Sequence, residues 1–305
     1  VLALLLVPQV FDILANAPLR VHFWTWMFGL LWGVGGLTYG LTVRFLGIAL
    51  GNAVALGLCA AFGTLMPPLF RGELPAVAST TGGQVILLGV FVCLLGIALS
   101  GKAGMNKEHE LTAEQKKQVN EEYHFWKGIG VAILCGILSA SMSYGLAAGK
   151  PIAELAVSYQ TPPLWQNLPI LIVVLLGGFT TNFLFCAWLI LRRNHLQDYV
   201  RPVETGPGRL PLNYLFCAAA GVTWYLQFFF YGMGTTKMGR LDFSSWSLHM
   251  ASIIIFGTFW GVALREWKGT SRRTHVLIAQ GLAVLIGSVM LIGYGNMLAS
   301  QEASG

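Results

Sequence analysis

Stretches of about twenty apolar residues, each long enough to cross a hydrocarbon layer of roughly 30 Å as a helix, recur along the whole chain. They run at 22–43, 46–66, 84–101, 128–148, 167–191, 213–235, 243–264 and 275–297. In lipid an open strand or loop leaves amides and carbonyls unpaired, so each stretch has to be helical. The expected fold class is an all-α polytopic membrane protein. The balance of residues agrees: 10% are charged and 55% hydrophobic, where soluble domains carry about 25% and 45–50%. The opening VLALLLVPQVFDILANAPLR has neither an initiator Met nor the basic segment of a signal peptide. It reads as a helix cut in its middle, so eight full spans and one partial span are expected.

Lys and Arg orient the spans. Alternate loops holding Arg44, 102–127, 192–211 and 265–274 carry 14 of the 19 basic residues. The excess of Lys and Arg on cytoplasmic loops puts this set inside and the C-terminus outside. The pI near 9.1 follows from these loops, and no nucleic-acid partner is needed to explain it. The stretch 102–127 mixes five basic with five acidic residues and reads as a solvated cytoplasmic linker. It separates a first part, 1–101, from a second, 128–305. Cys59, Cys93, Cys135, Cys186 and Cys217 all fall within spans, with no CxxC pair. Neither a metal nor a cofactor is expected from them.

The two parts are related. Displacing the second by 192 residues lays GVTWYLQFFFYGMGTTKMG (221–239) on GLLWGVGGLTYGLTVRFLG (29–47). Gly29, Trp32, Tyr39, Gly40 and Gly47 then match Gly221, Trp224, Tyr231, Gly232 and Gly239, and Phe62-Gly63-Thr64 matches Phe256-Gly257-Thr258 two residues out of step. Arg44 ends its helix on the side assigned to the cytoplasm, while Lys237 ends the matching helix on the other side. An odd number of helices per part, related by inversion, gives that result. Five each is the simplest count, which leaves the first helix and part of the second missing. Inverted repeats are characteristic of secondary transporters, with the substrate near the midplane.

The polar residues within the spans are patterned. Trp224, Gln227, Phe228 and Tyr231 lie at i, i+3, i+4 and i+7, on one helix face. Trp32, Gly35, Gly36 and Tyr39 repeat the spacing, and Asp242, Ser245, Trp246 and His249 repeat it again. Amides and imidazoles in hydrocarbon require partners or water. Such stripes suit a sugar, whose C–H faces lie on aromatic rings while Gln, Ser and His bond its hydroxyls. Two plainer accounts stand beside this one: Trp and Tyr in interfacial belts, and Gln227 bonding across helices. The serines of LSASMSYG (138–145) and the polar run Thr180-Thr181-Asn182 either face a cavity or bond back to their own helices.

WYLQFFFY and SSWSLHM, together with WGVGGLTYGLTVRFLG and GTLMPPL, resemble the L-rhamnose–proton symporter family of the drug/metabolite transporter superfamily. The resemblance covers roughly residues 1–297. It departs in the 102–127 and 192–211 loops, and at Pro67, where a Thr is expected. It implies ten helices in two inverted five-helix repeats, L-rhamnose or a related sugar as substrate, proton coupling, and a bacterial inner membrane. It carries substrate binding to Trp224, Gln227, Tyr231, Trp246 and His249, with Trp32 and Tyr39 as first-half counterparts. Ser245 joins them from the stripe. A symporter needs a group that gains and loses a proton, and Asp242 and His249 are the intramembrane candidates. Asp242 is also explained as an ion pair with Lys237 or Arg240 at a helix end.

Other functions remain in view. A metabolite exporter or exchanger of the same superfamily is the main alternative. An organic-cation exporter calls for a carboxylate in the cavity, and a nucleotide-sugar exchanger for buried basic residues, whereas the basic residues here sit near helix ends. No acid–base pair or metal set points to a membrane enzyme.

Overall fold

A computed structural model describes residues 2–110, 124–200, 209–238, 244–263, 267 and 269–302. Every regular element among them is helical: α1 (Leu2–Leu6), α2 (Val10–Asn16), α3 (Leu19–Phe70), α4 (Leu74–Ala78), α5 (Thr81–Glu110), α6 (Phe125–Ser139), α7 (Ser141–Ala148), α8 (Lys150–Ser158), α9 (Leu168–Arg193), α10 (Leu210–Thr235), α11 (Ser245–Ala263) and α12 (Arg272–Glu302), with two short 3-10 turns. Prolines enter α8, α9 and α10 in the first turn, where a missing N–H costs nothing. Arg192 and Arg193 close α9 beside its negative end, and Asn194, at φ 54°, supplies the left-handed cap.

Among the described residues seven helical stretches are long and apolar enough to cross a membrane, and Val54–Phe70, within α3, is a shorter apolar one. Seven of the eight expected full spans find such a stretch, and 46–66 falls within the rest of α3. α3 is a single helix by hydrogen bonding, yet it is not straight. A straight helix would separate Thr42 from Gly51 by about 13.5 Å. A methyl group at Gly51 would instead sit 3.1 Å from Thr42 Cγ2, and the Tyr39 hydroxyl hydrogen-bonds Asn52. The axis therefore folds back between Thr42 and Gly51, and α3 is two legs. α5 continues as helix to Glu110, and 111–123 of the expected linker lie outside the described residues.

The chain forms two compact units, Val1–Gly33 with Ala148–Thr236, and Val34–Ala147 with Lys237–Gly305. In the first unit α3 and α9 meet backbone to backbone at glycines. A methyl at Gly29 would lie 2.0 Å from the Val174 carbonyl oxygen, and one at Gly177 would lie 2.1 Å from that of Trp26. Small residues at crossings of this kind replace the hydrophobic drive that lipid does not supply. Thr181 Oγ1 ties the crossing by donating to the Leu30 carbonyl at 2.9 Å.

In the second unit α5 and α12 pack antiparallel. Gly82, Gly89 and Gly96 face Ala299, Ile292 and Leu285, so both helices step by seven along one seam. Each helix ends in a glutamate that caps the start of the other. Glu302 accepts from the Thr81 and Gly82 amides at 3.1 and 3.3 Å. Glu110 accepts from the Ser271 amide at 2.6 Å and from the Ser271 and Thr274 hydroxyls at 2.5 and 2.7 Å. The Ser271 hydroxyl first, then its amide and the Thr274 hydroxyl, hold the Glu110 carboxyl below its ordinary range. A depressed carboxylate stabilises the fold above its unfolded pKa, and that contribution is lost as pH falls through the folded value. Glu110→Gln is thus expected to melt below the parent at neutral pH, with the gap closing below about pH 4. Melting curves across pH check this; a gap that does not change with pH would contradict it.

Helix starts repeat along the chain. Leu19 and Thr81 are followed 191 residues later by Leu210 and Arg272, one residue from the displacement that aligns the Trp and Tyr-Gly pairs.

Candidate functional site

In the first unit, Trp32 on α3 and Trp224 on α10 stack with ring centroids 5.4 Å apart and planes 16° from parallel. Phe228 presents an edge to both, at 5.6 and 5.2 Å. The other side of Trp32 is filled, because a methyl at Gly178 would lie 2.6 Å from its ring. Trp32 is therefore a pillar clamped between Gly178 and Trp224, and the open aromatic face belongs to Trp224, which is 50% exposed. Gln227 and Tyr231 continue the same face of α10 and are half-buried. Asn167 fixes the end of α10, donating to the Gly232 carbonyl at 2.8 Å and to Thr235 Oγ1 at 2.9 Å.

In the second unit, Ser245, Trp246 and His249 occupy the first turns of α11. Ser245 and Trp246 are buried and His249 half-buried. Trp246 Nε1 donates to the Cys59 carbonyl at 3.1 Å, and its ring lies 5.5 Å from that of His249. Thr64 and Ser247 share a buried hydroxyl pair at 2.8 Å. Tyr39 is half-buried and engaged with Asn52. Asp242 lies outside the described residues. The glycines expected to hollow α3 differ from one another: Gly36 faces open space, while a methyl at Gly35 would lie 2.8 Å from the Ser139 amide. Gly35 carries a close helix approach instead.

The expected residues thus fall into two sets. Trp32 and Trp224 meet directly, with Gln227 and Tyr231 along the same helix. Trp246 and His249 meet directly, with Ser245 beside them and Tyr39 elsewhere in their unit. Phe228 belongs with the first set and was already on the stripe by spacing. Tyr144, which donates to the Phe62 carbonyl at 3.1 Å, had no signal in sequence, since only the fold brings α7 to that turn of α3.

Seven helices long and apolar enough to cross a membrane, and no strand among the described residues, define a polytopic helical membrane protein. The chain matches the family described as L-rhamnose-proton symport protein (RhaT) over residues 1–299, and it belongs to that family. It is 37% identical over 275 residues, 88% of this chain and 76% of the relative, to a protein of Cronobacter sakazakii named L-rhamnose-proton symporter. Proteins of the same name from Salmonella paratyphi B and Salmonella newport are 37% identical over 273 residues, 88% of this chain and 77% of each relative. The family and these relatives are named as transporters rather than enzymes. No solved structure matches the chain.

Proposed function

We infer that this chain carries L-rhamnose, or a sugar close to it, into the cell together with protons across a bacterial inner membrane. The observation that carries the reading is the shared name of relatives 37% identical over 88% of the chain. The half-exposed Trp224 ring beside the Gln227 amide supports it from the side of chemistry. A pyranose offers an apolar C–H face and a rim of hydroxyls, and this face of α10 offers a flat ring and an amide one turn apart.

The architecture behind this reading is two inverted five-helix repeats, the first within 1–101 and the second within 128–305. The 191-residue spacing of helix starts supports it, as does the antiparallel packing of α5 on α12, which are equivalent by that spacing. The reciprocal glutamate caps support it too: Glu110 and Glu302 stand at matching ends and act on matching starts. The basic loops put 102–127 in the cytoplasm and the C-terminus outside.

The test is uptake of radiolabelled rhamnose in cells without their own rhamnose carrier, with and without a protonophore. Uptake that the protonophore abolishes is the expected result, and no uptake above vector controls would reject the reading. Within that assay, Gln227→Ala is expected to weaken sugar binding by about 1–3 kcal/mol, roughly a tenfold rise in KM, as sugar hydroxyls lose their partner. Trp224→Ala removes the stacking surface and is expected to act in the same direction. A Gln227→Ala protein that purifies normally and keeps the parent KM would remove this face from the site.

A further inference from the structure

The GTLMPPL and LSASMSYG segments meet in the second unit. Pro67 lies inside α3, and proline has no N–H to give the carbonyl four residues earlier. That carbonyl belongs to Gly63. It is buried against α7, where Ser143 Oγ donates to it at 2.6 Å. The adjacent Tyr144 hydroxyl reaches the Phe62 carbonyl at 3.1 Å. One turn of α3 is thus held by donors from another helix, at the place where proline removes its own.

Gly63 is also the seat of Trp246. A methyl group there would lie 2.3 Å from Trp246 Nε1 and 2.5 Å from Cδ1, so the indole rests on the bare backbone while its N–H bonds Cys59. His249 lies beside that indole, with ring centroids 5.5 Å apart. The matching segment of the second half has no such device. Four residues after Gly257 comes Gly261, which has an N–H, and a methyl at Gly257 would meet nothing within 4 Å.

We propose that Ser143 is a positioning residue for transport: its hydroxyl replaces the donor that Pro67 removes, holds the Gly63 backbone, and thereby sets Trp246 and His249. This rests on the reading of Trp246 and His249 as part of the sugar and proton site. The hydroxyl does the work of a backbone amide, and it does so from a different helix. The orientation of Trp246 is therefore tied to the placement of α7 on α3.

The experiment compares the parent with Ser143→Ala, Ser143→Thr, Pro67→Ala and the double variant Pro67→Ala/Ser143→Ala. Ser143→Ala leaves the Gly63 carbonyl without a donor and is expected to raise the rhamnose KM roughly tenfold. It is also expected to shift the pH profile of uptake, since His249 moves with its neighbour. Ser143→Thr keeps a hydroxyl and is expected to stay near the parent. Pro67→Ala restores an N–H within the helix, so the double variant is expected to lie within about threefold of Pro67→Ala alone, a non-additive result for groups sharing one partner. A Ser143→Ala protein with the parent KM and pH profile, or a double variant whose losses multiply, overturns the proposal. The same proteins are melted without sugar. If the parent carries no rhamnose, the transport reading fails; non-additive melting temperatures then keep Ser143 as the donor to Gly63, and additive ones overturn it.

Discussion

Gly177→Val is expected to yield no folded, monodisperse protein. Even a methyl at this position would lie 2.1 Å from the Trp26 carbonyl oxygen and 2.7 Å from the Leu30 amide nitrogen. Both are backbone atoms of α3, which cannot swing aside as a side-chain end can. Gly29 meets α9 in the same way from the opposite helix, with 2.0 Å to the Val174 carbonyl oxygen. Relieving either clash means separating two helices along the contact that holds the Thr181–Leu30 bond and seats Trp32 over Gly178. Overpacking a core usually costs about 1–3 kcal/mol because side chains adapt. With backbone on both sides the cost rises above that, a large share of a net stability of about 5–15 kcal/mol. Gly36→Ala is the matched control, since nothing lies within 4 Å of its added methyl. Size-exclusion profiles and melting temperatures of the two variants check this. A Gly177→Val protein that elutes and melts like the parent would disprove the tight crossing.

His249→Gln is expected to abolish sugar accumulation while leaving exchange of sugar across the membrane intact. Moving one proton through 100 mV releases about 2.3 kcal/mol, enough for a roughly fifty-fold gradient of a neutral solute. A carrier that no longer takes up and releases the proton loses that gradient but still binds sugar from both sides. His249 is the titratable side chain on the α11 stripe among the described residues, half-buried against the Trp246 ring. Gln keeps the size and the hydrogen bonding of imidazole but cannot take up a proton. The measurement pairs sugar-induced alkalinisation with counterflow, and runs Asp242→Asn beside it, as the second intramembrane candidate. Wild-type proton movement in both variants would take the coupling role away from both residues.

What could be read in the sequence follows from one-dimensional rules. The spans were legible because lipid demands helices of a set length, and each expected full span has a helix in the structure. The matching pattern of the two parts is a property of the sequence, where Trp32, Tyr39-Gly40 and their counterparts keep register. The stripe of Trp224, Gln227 and Tyr231 was legible because helical periodicity puts residues on one face. Periodicity does not say what a face meets. It left Gly35 and Gly36 equivalent, whereas one packs on Ser139 and the other faces open space. It treated Trp32 and Trp224 as equal platforms, whereas Gly178 and Trp224 enclose the first and leave the second half exposed.

The sequence alone determined that this chain lives in a membrane as helices, that its two parts share a pattern, and which helix faces carry polar chemistry. Those are consequences of hydropathy, length and spacing along a chain. Only the tertiary structure decided that α3 folds back so that Tyr39 meets Asn52, that Glu110 and Glu302 cap each other's helices, and that Ser143 serves the carbonyl Pro67 leaves bare. Three of these pairings join residues 80 to 221 positions apart, and a hydrogen bond over that separation depends on where two helices come to rest, which no local preference encodes.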